Sequence, residues 1–203
     1  MLTGRNQDAL NNLKIEIHNR FPNSQVQILA GDISNEPFCH DLIKNCIQHF
    51  NKIDVLINNA GMSMRGLLND TDLSVLKRLM DVNFWGAVYL TKYALPYLLQ
   101  SQGSVIGVSS IAGFKGLPAR TGYSSSKFAL QGFLESLRNE NHKTGLHVLI
   151  ACPGYTESNI RKTALNANGE IQGETPLNES KLMSAEEVAE KICAIPGKMS
   201  LLS

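Results

Sequence analysis

Short, continuously apolar runs alternate along this chain with longer amphipathic ones, and that alternation restricts the fold more than any other feature. Residues 53–57 (IDVLI) form a compact apolar run of the kind that suits a parallel strand covered on both faces. The chain opens on the last residues of a strand ending at Thr3 and a turn at Gly4-Arg5, and further strands are expected at residues 25–30 (QVQILA), 104–108 and 146–151. Between them, helical periodicity runs through Ala9, Leu10, Leu13, Ile15 and Ile17, through residues 36–50, along one long helix over residues 72–99, and over residues 123–139. Ser184 caps a last helix, with Glu186 and Glu187 in its first turn and Pro196-Gly197 beyond its end. Strand and helix in strict alternation predict an α/β fold, an open doubly wound parallel sheet with right-handed crossovers. At 203 residues the chain is long enough for one well-filled core and short for two, so a single domain is expected. Ligands of such sheets bind beyond the carboxyl ends of the strands. Those ends hold Arg5, Asp32, Asn59, Ser110 and Pro153.

On the helix over residues 123–139, Tyr123 and Lys127 stand four apart and share one face, one turn from each other. A cation that close stabilises a phenolate and equips the pair for proton transfer. Ser110, ending an apolar run, offers a neutral hydroxyl to orient a reacting oxygen. Asn83 lies mid-helix between apolar residues, where an amide is unfavourable without partners. Asn58-Asn59-Ala60-Gly61 ends an apolar strand in small residues that let backbone approach a flat ligand.

With Asn58-Asn59-Ala60-Gly61, Asn83, Ser110, Tyr123-x-x-x-Lys127 and Pro153-Gly154 in this order, the chain resembles the short-chain dehydrogenase/reductase family over nearly its whole length. The resemblance implies a Rossmann-like fold and reversible hydride transfer between NADP(H) and a small-molecule carbonyl or secondary alcohol. It implies a catalytic tetrad: Tyr123 exchanges the proton, Lys127 holds the nicotinamide ribose, Ser110 orients the oxygen, and Asn83 positions a relay water. Cofactor contacts are implied at Arg5, Asp32, Ile33, Asn59, Ala60, Gly61, Tyr123, Lys127, Pro153, Gly154 and Thr156. Asn59 is expected to tie neighbouring strands, and Thr156 to bind the carboxamide. Gly4-Arg5 favours NADP, because glycine leaves room for a 2′-phosphate and the guanidinium offers it a charged fork; the alternative is a solvated turn residue. Asp32 matches the family's aspartate beside the adenine or is a helix N-terminal acid. Met62, Met64, Phe114, Leu117 and Tyr155 suggest an apolar substrate pocket. Residues 155–183 lack a clear period and hold Asn166, Asn168, Gly169, Gly173 and Pro176; the family has a mobile substrate lid there. Phe84, Trp85 and Phe128 lie on helices that form subunit contacts in the family, which points to a homodimer or homotetramer, or they are ordinary core.

The net charge of +1, with no basic stripe, gives no electrostatic footprint for nucleic acid or an anionic membrane. Cys39, Cys46, Cys152 and Cys193 lack ligand or framework spacing, so no metal is expected and they read as small fillers in a reducing cytoplasm. The longest apolar stretch, residues 87–99, is interrupted by Lys92 and Pro96 and is short for a bilayer. Two other functions are compatible with the motifs: an epimerase or dehydratase using NAD(P) transiently, and a non-catalytic binding or scaffold protein.

No G-x-G-x-x-G run occurs in these residues, although the family places a Gly-rich turn between its first strand and first helix. In the family's sheet that strand is central, joining the strand ending at Thr3 to the one expected at residues 53–57. The expectation is therefore a domain truncated at its amino terminus by a strand, turn and helix, and at its carboxyl terminus within residues 196–203.

Overall fold

A computed structural model describes residues 1–173 and 182–194. Its most deeply buried strand is β4 (Ser104–Val108), which has a parallel neighbour on each side, β3 (Val55–Asn58) and β5 (His147–Ala151). The register pairs Val105 with Leu56 and with Val148. A second parallel pair joins β1 (Leu2–Gly4) to β2 (Ile28–Ala30). The helices are α1 (Gln7–Arg20), α2 (Glu36–Phe50), α3 (Leu73–Met80), α4 (Gly86–Ser101), α5 (Thr121–Glu140) and α6 (Ala185–Cys193). Parallel strands flanked by helices in one domain give the Rossmann-like α/β fold that the alternation predicts.

Local chemistry sets the helix ends. Asn6 caps α1 and Asn35 caps α2 by accepting from the backbone N–H three residues on, and α2 stops at Asn51, which takes the left-handed conformation at φ 61°. Ser184 and Glu187 form a reciprocal capping box on α6, as the sequence predicts for that serine. The core lies between α2, α4, α5 and the three-stranded sheet, with Leu98, Val105 and Leu134 fully enclosed.

Several expectations are corrected. The strand expected over residues 25–30 is only three residues long, and that over residues 53–57 is shifted to end at Asn58. Its Ile57 is 51% exposed, so β3 is not covered on both faces at that residue. Among the described residues, moreover, no strand pairs with the outer edge of β3, nor with the second edge of β1. The single helix over residues 72–99 is interrupted by a π turn, Asp81–Trp85, joining α3 to α4. Cys39 is a buried filler, whereas Cys193 is exposed. Of the segment expected as a lid, the described part pairs its backbone with residues 63–65. Leu165 N donates to Ser63 O, Arg65 N donates to Leu165 O, and Leu165 packs with Met64, Val75 and Leu79. Pro176, the Pro196-Gly197 stop and residues 196–203 lie outside the described residues.

Gly103 sets the register of β3 against β4. A Cβ there would lie 2.3 Å from the Asp54 carbonyl oxygen, which accepts from Ser104 N at the start of the ladder. Backbone cannot move aside as a side chain can. Gly103→Ala is expected to lower stability by about 1–3 kcal/mol, in the range of overpacked interiors. An unchanged urea midpoint would show that the turn relaxes freely.

Candidate active site

The carboxyl ends of all five strands open into one cavity of about 850 Å³. Gly4, Arg5, Asp32 and Ile33 line it beyond β1 and β2; Asn59, Ala60, Gly61 and Ser110 line it beyond β3 and β4. Pro153, Gly154 and Thr156 line it beyond β5, and α5 contributes Tyr123 and Lys127. The structure thus brings together every catalytic and cofactor-binding candidate from the sequence except Asn83, which lies just behind the wall and is 1% exposed.

Asn83 is held by the π turn and fully used. Its Oδ1 accepts from Met62 N (2.8 Å), and its Nδ2 donates to Met62 O (2.9 Å) and to Ser126 Oγ (2.8 Å). One amide therefore clamps the loop after β3 to α5, with Ser126 as a partner that the sequence does not announce. Gly61 is small for the same reason: a Cβ there would meet Asn83 Oδ1 at 3.3 Å and Lys127 Nζ at 3.5 Å. Asn59, expected to tie neighbouring strands, is exposed on the cavity wall, while buried Asn58 ties β3 to a helix by donating from Nδ2 to Thr91 Oγ1 on α4 (3.0 Å).

Lys127 is 3% exposed, with its Nζ donating to the Val108 carbonyl (2.8 Å) and lying 6.0 Å from the Tyr123 ring centroid. Burial pushes its pKa down to about 8. The group still carries its charge at neutral pH. Tyr123 packs against the Met64, Val75, Leu79 and Leu165 cluster, which fixes the ring beside the cavity. Ser110 is extended at the end of β4, and its Oγ accepts from Ala112 N (3.2 Å). Buried Gln131 supports that turn from α5 by donating to Ser109 Oγ (2.9 Å).

At the opposite end, Asp32 Oδ1 accepts from Ser34 N (2.9 Å) and Ser34 Oγ (2.8 Å). Burial pushes its carboxyl up, but those two bonds and the charges of Arg5 and Arg78 outweigh it and leave it below the ordinary value. Asp32 closes its own turn; the cap of α2 is Asn35. Arg5 is exposed on the cavity wall. Thr156 Oγ1 donates to Gly154 O (3.3 Å), and Thr156 O accepts from Arg161 Nη1 (2.8 Å).

The expected apolar pocket is present only in part. Met62, Leu117 and Tyr155 line the cavity, but Met64 is wholly buried in the satellite core and Phe114, 66% exposed, is not on the wall. Arg65, Arg120 and Arg161 line it instead.

No helix among the described residues is long and apolar enough to cross a membrane. The family model described as short chain dehydrogenase matches residues 1–169. Among curated proteins, Dehydrogenase/reductase SDR family member 7B of Mus musculus is 35% identical over 201 residues, covering 98% of this chain and 62% of that protein. The 11-beta-hydroxysteroid dehydrogenase A of Arachis hypogaea is 34% identical over 195 residues, covering 95% of this chain and 55% of that protein. The chain thus spans less than two thirds of these relatives' length. Among solved structures, a short chain dehydrogenase of Salmonella enterica superposes with a TM-score of 0.80 at 26% identity, covering 90% of this chain and 73% of that one. An alcohol dehydrogenase of Thermococcus sibiricus complexed with 5-hydroxy-NADP superposes with a TM-score of 0.82 at 20% identity, covering 94% of this chain and 76% of that one, a likeness of fold.

Proposed function

Because this chain belongs to the short-chain dehydrogenase family, we propose that its cavity serves NADP(H)-dependent interconversion of a carbonyl and a secondary alcohol. The observation that carries this reading is the convergence of Tyr123, Lys127 and Ser110 on one cavity at the strand ends, with Asn83 and Gly61 packed directly behind Lys127.

The cavity walls fit a dinucleotide. A Cβ at Gly154 would enter open space, so glycine there leaves room for a flat ring rather than satisfying packing. A Cβ at Gly4 would meet nothing nearer than Leu10 Cδ2 at 3.9 Å, and the adjoining Arg5 offers a cation. Arg5, Asp32, Ile33, Asn59, Ala60, Pro153, Gly154 and Thr156 would hold the cofactor. When bound there, NADPH would supply the hydride that reduces the carbonyl carbon.

The chain's own residues do the rest. Tyr123 gives its phenolic proton to the developing alkoxide as the C=O double bond becomes a C–OH single bond, and recovers a proton from solvent afterwards. Lys127, fixed on the Val108 carbonyl, presents its charge to the ribose side of the cavity. Ser110 Oγ, held by Ala112 N, keeps its hydroxyl hydrogen for the substrate oxygen. Asn83 holds the Met62 loop in place, and the π turn that carries it loosens the helical backbone pattern where a relay water is proposed. Trp85 and Phe128, 42% and 45% exposed, support a homo-oligomeric assembly through this part of the molecule.

Fluorescence titration with NADPH and NADH, followed by a panel of carbonyl compounds, tests the reading. Arg5→Ala is expected to weaken NADPH by about one to two decades, the worth of a charged hydrogen bond, and NADH far less. A wild type that prefers NADH would overturn the cofactor assignment.

A further inference from the structure

Beyond Tyr123 the cavity becomes cationic. Arg65, Arg120 and Arg161 line it there against one carboxylate, Glu157. Arg120 is the residue before α5, three positions from Tyr123, so its side chain starts within one helical turn of the phenol. Its Nη1 donates to the hydroxyl of Ser63, which is 2% exposed. Burial and then the like charge of Arg65 lower its pKa, with Arg161 adding to the effect and Tyr123 and Tyr155 opposing it. Arg65 makes no side-chain hydrogen bond or ion pair among the described residues, and the ion pairs found there, His40 with Asp41 and Lys52 with Asp54, lie elsewhere. Arg161 is 7% exposed and donates to the Thr156 carbonyl, so it serves the wall itself.

Guanidinium groups stay charged in proteins, and gathering them at a partly desolvated wall costs free energy that an incoming anion offsets. Their planar donor forks match carboxylate and phosphate oxygens in paired hydrogen bonds. We propose that this end of the cavity is a subsite, built on Arg120 and Arg65, for an anionic group carried close to the reacting carbon of the carbonyl or hydroxyl substrate. The subsite deepens the oxidoreductase reading and rests on it. Placed one turn from Tyr123, Arg120 would hold the anion within a few bonds of the carbon that changes oxidation state. Met62, Leu117 and Tyr155 would flank the rest of the molecule.

The test uses the full-length protein and matched pairs of substrates. One pair is a 2-keto acid and its methyl ester; the other is a hydroxyketone phosphate and its unphosphorylated parent. The wild type is expected to favour the anionic member of at least one pair by about tenfold or more in kcat/KM, and the better pair identifies the anion. Arg120→Gln should cut that preference about tenfold to a hundredfold, mainly through KM, as for loss of a charge-assisted pair. Arg120→Lys should keep more of the preference than Arg120→Gln. Arg65→Gln, lying outside the helix, carries the same test if the Arg120 variants fail to fold. A wild type that favours the neutral member of both pairs overturns the proposal, and so does a preference untouched in both glutamine variants. Calorimetric titration with the corresponding hydroxy acid and alcohol phosphate separates this from the parent reading. Anion binding weakened by Arg120→Gln, with no carbonyl reduced, would leave the subsite standing and remove the oxidoreductase assignment. Reduction of neutral carbonyls with no anion binding would do the reverse.

Discussion

Tyr123→Phe is expected to reduce turnover by at least about a hundredfold while leaving the NADPH dissociation constant within about twofold of wild type. The substitution deletes one oxygen at the cavity wall and keeps the ring that packs on Met64, Val75, Leu79 and Leu165, so the fold loses little. On the proposed mechanism it removes the proton donor for the substrate oxygen, and a positioned acid or base commonly contributes about 10² to 10⁴ in rate. Single-turnover reduction of a carbonyl substrate, paired with nucleotide titration, measures both quantities. Retention of more than about a tenth of the wild-type rate would remove Tyr123 from the mechanism, and a parallel collapse of nucleotide affinity would reassign it to cofactor binding.

Lys127→Met is expected to abolish turnover and yet stabilise the protein near neutral pH. The ammonium is 3% exposed, with its pKa pushed down to about 8 by burial from an ordinary value of 10.5. Between those values the unfolded chain binds more protons than the folded one, so wild-type stability rises as pH climbs from about 8 to about 10.5. Below that window the full cost of burying the charge is present, about 3 kcal/mol for a shift of this size. Methionine removes the cost but leaves the Val108 carbonyl without its donor, worth about 1–3 kcal/mol. The net gain is about 1 kcal/mol near pH 7, vanishing or reversing above pH ~10. Thermal or urea unfolding at several pH values would show it as a gap between variant and wild type that shrinks with rising pH. A gap that widens with pH would mean that the buried ammonium stabilises the fold. Loss of turnover tests the functional half separately. Lys127 would then be a group kept at a cost in stability for its place in the cavity.

Some of this protein was legible in its residues alone. Alternating periodicity predicts the strand and helix order because apolar spacing at period two or in continuous runs, and at 3.6, follows from backbone geometry without reference to the rest of the chain. The cap at Ser184 is equally local, one side chain answering a backbone donor three residues on. Tyr123 and Lys127 share a face because they are four apart on a helix, and the strand-end positions of Ser110, Asn59 and Pro153 follow from the parallel arrangement that places all carboxyl ends on one side.

What depended on contacts between distant segments could not be read this way. That Asn58 rather than Asn59 is buried turns on Thr91, thirty-three residues later, and on where β3 ends. The π turn at Asp81–Trp85 has no sequence period of its own; it is associated with the three bonds that Asn83 makes to Met62 and to Ser126. Met64 was expected in the substrate pocket and lies in a core instead, because the segment around Leu165 folds over it with backbone hydrogen bonds to Ser63 and Arg65. The same return of the chain brings Arg65, Arg120 and Arg161 to one wall, although they are spread over nearly a hundred residues and each alone reads as a surface charge. Residue types and local spacing thus determined the elements and the shared face of Tyr123 and Lys127. Only the tertiary structure decided which polar groups are buried and which charges line the cavity, because burial and electrostatic surroundings are set by neighbours in space.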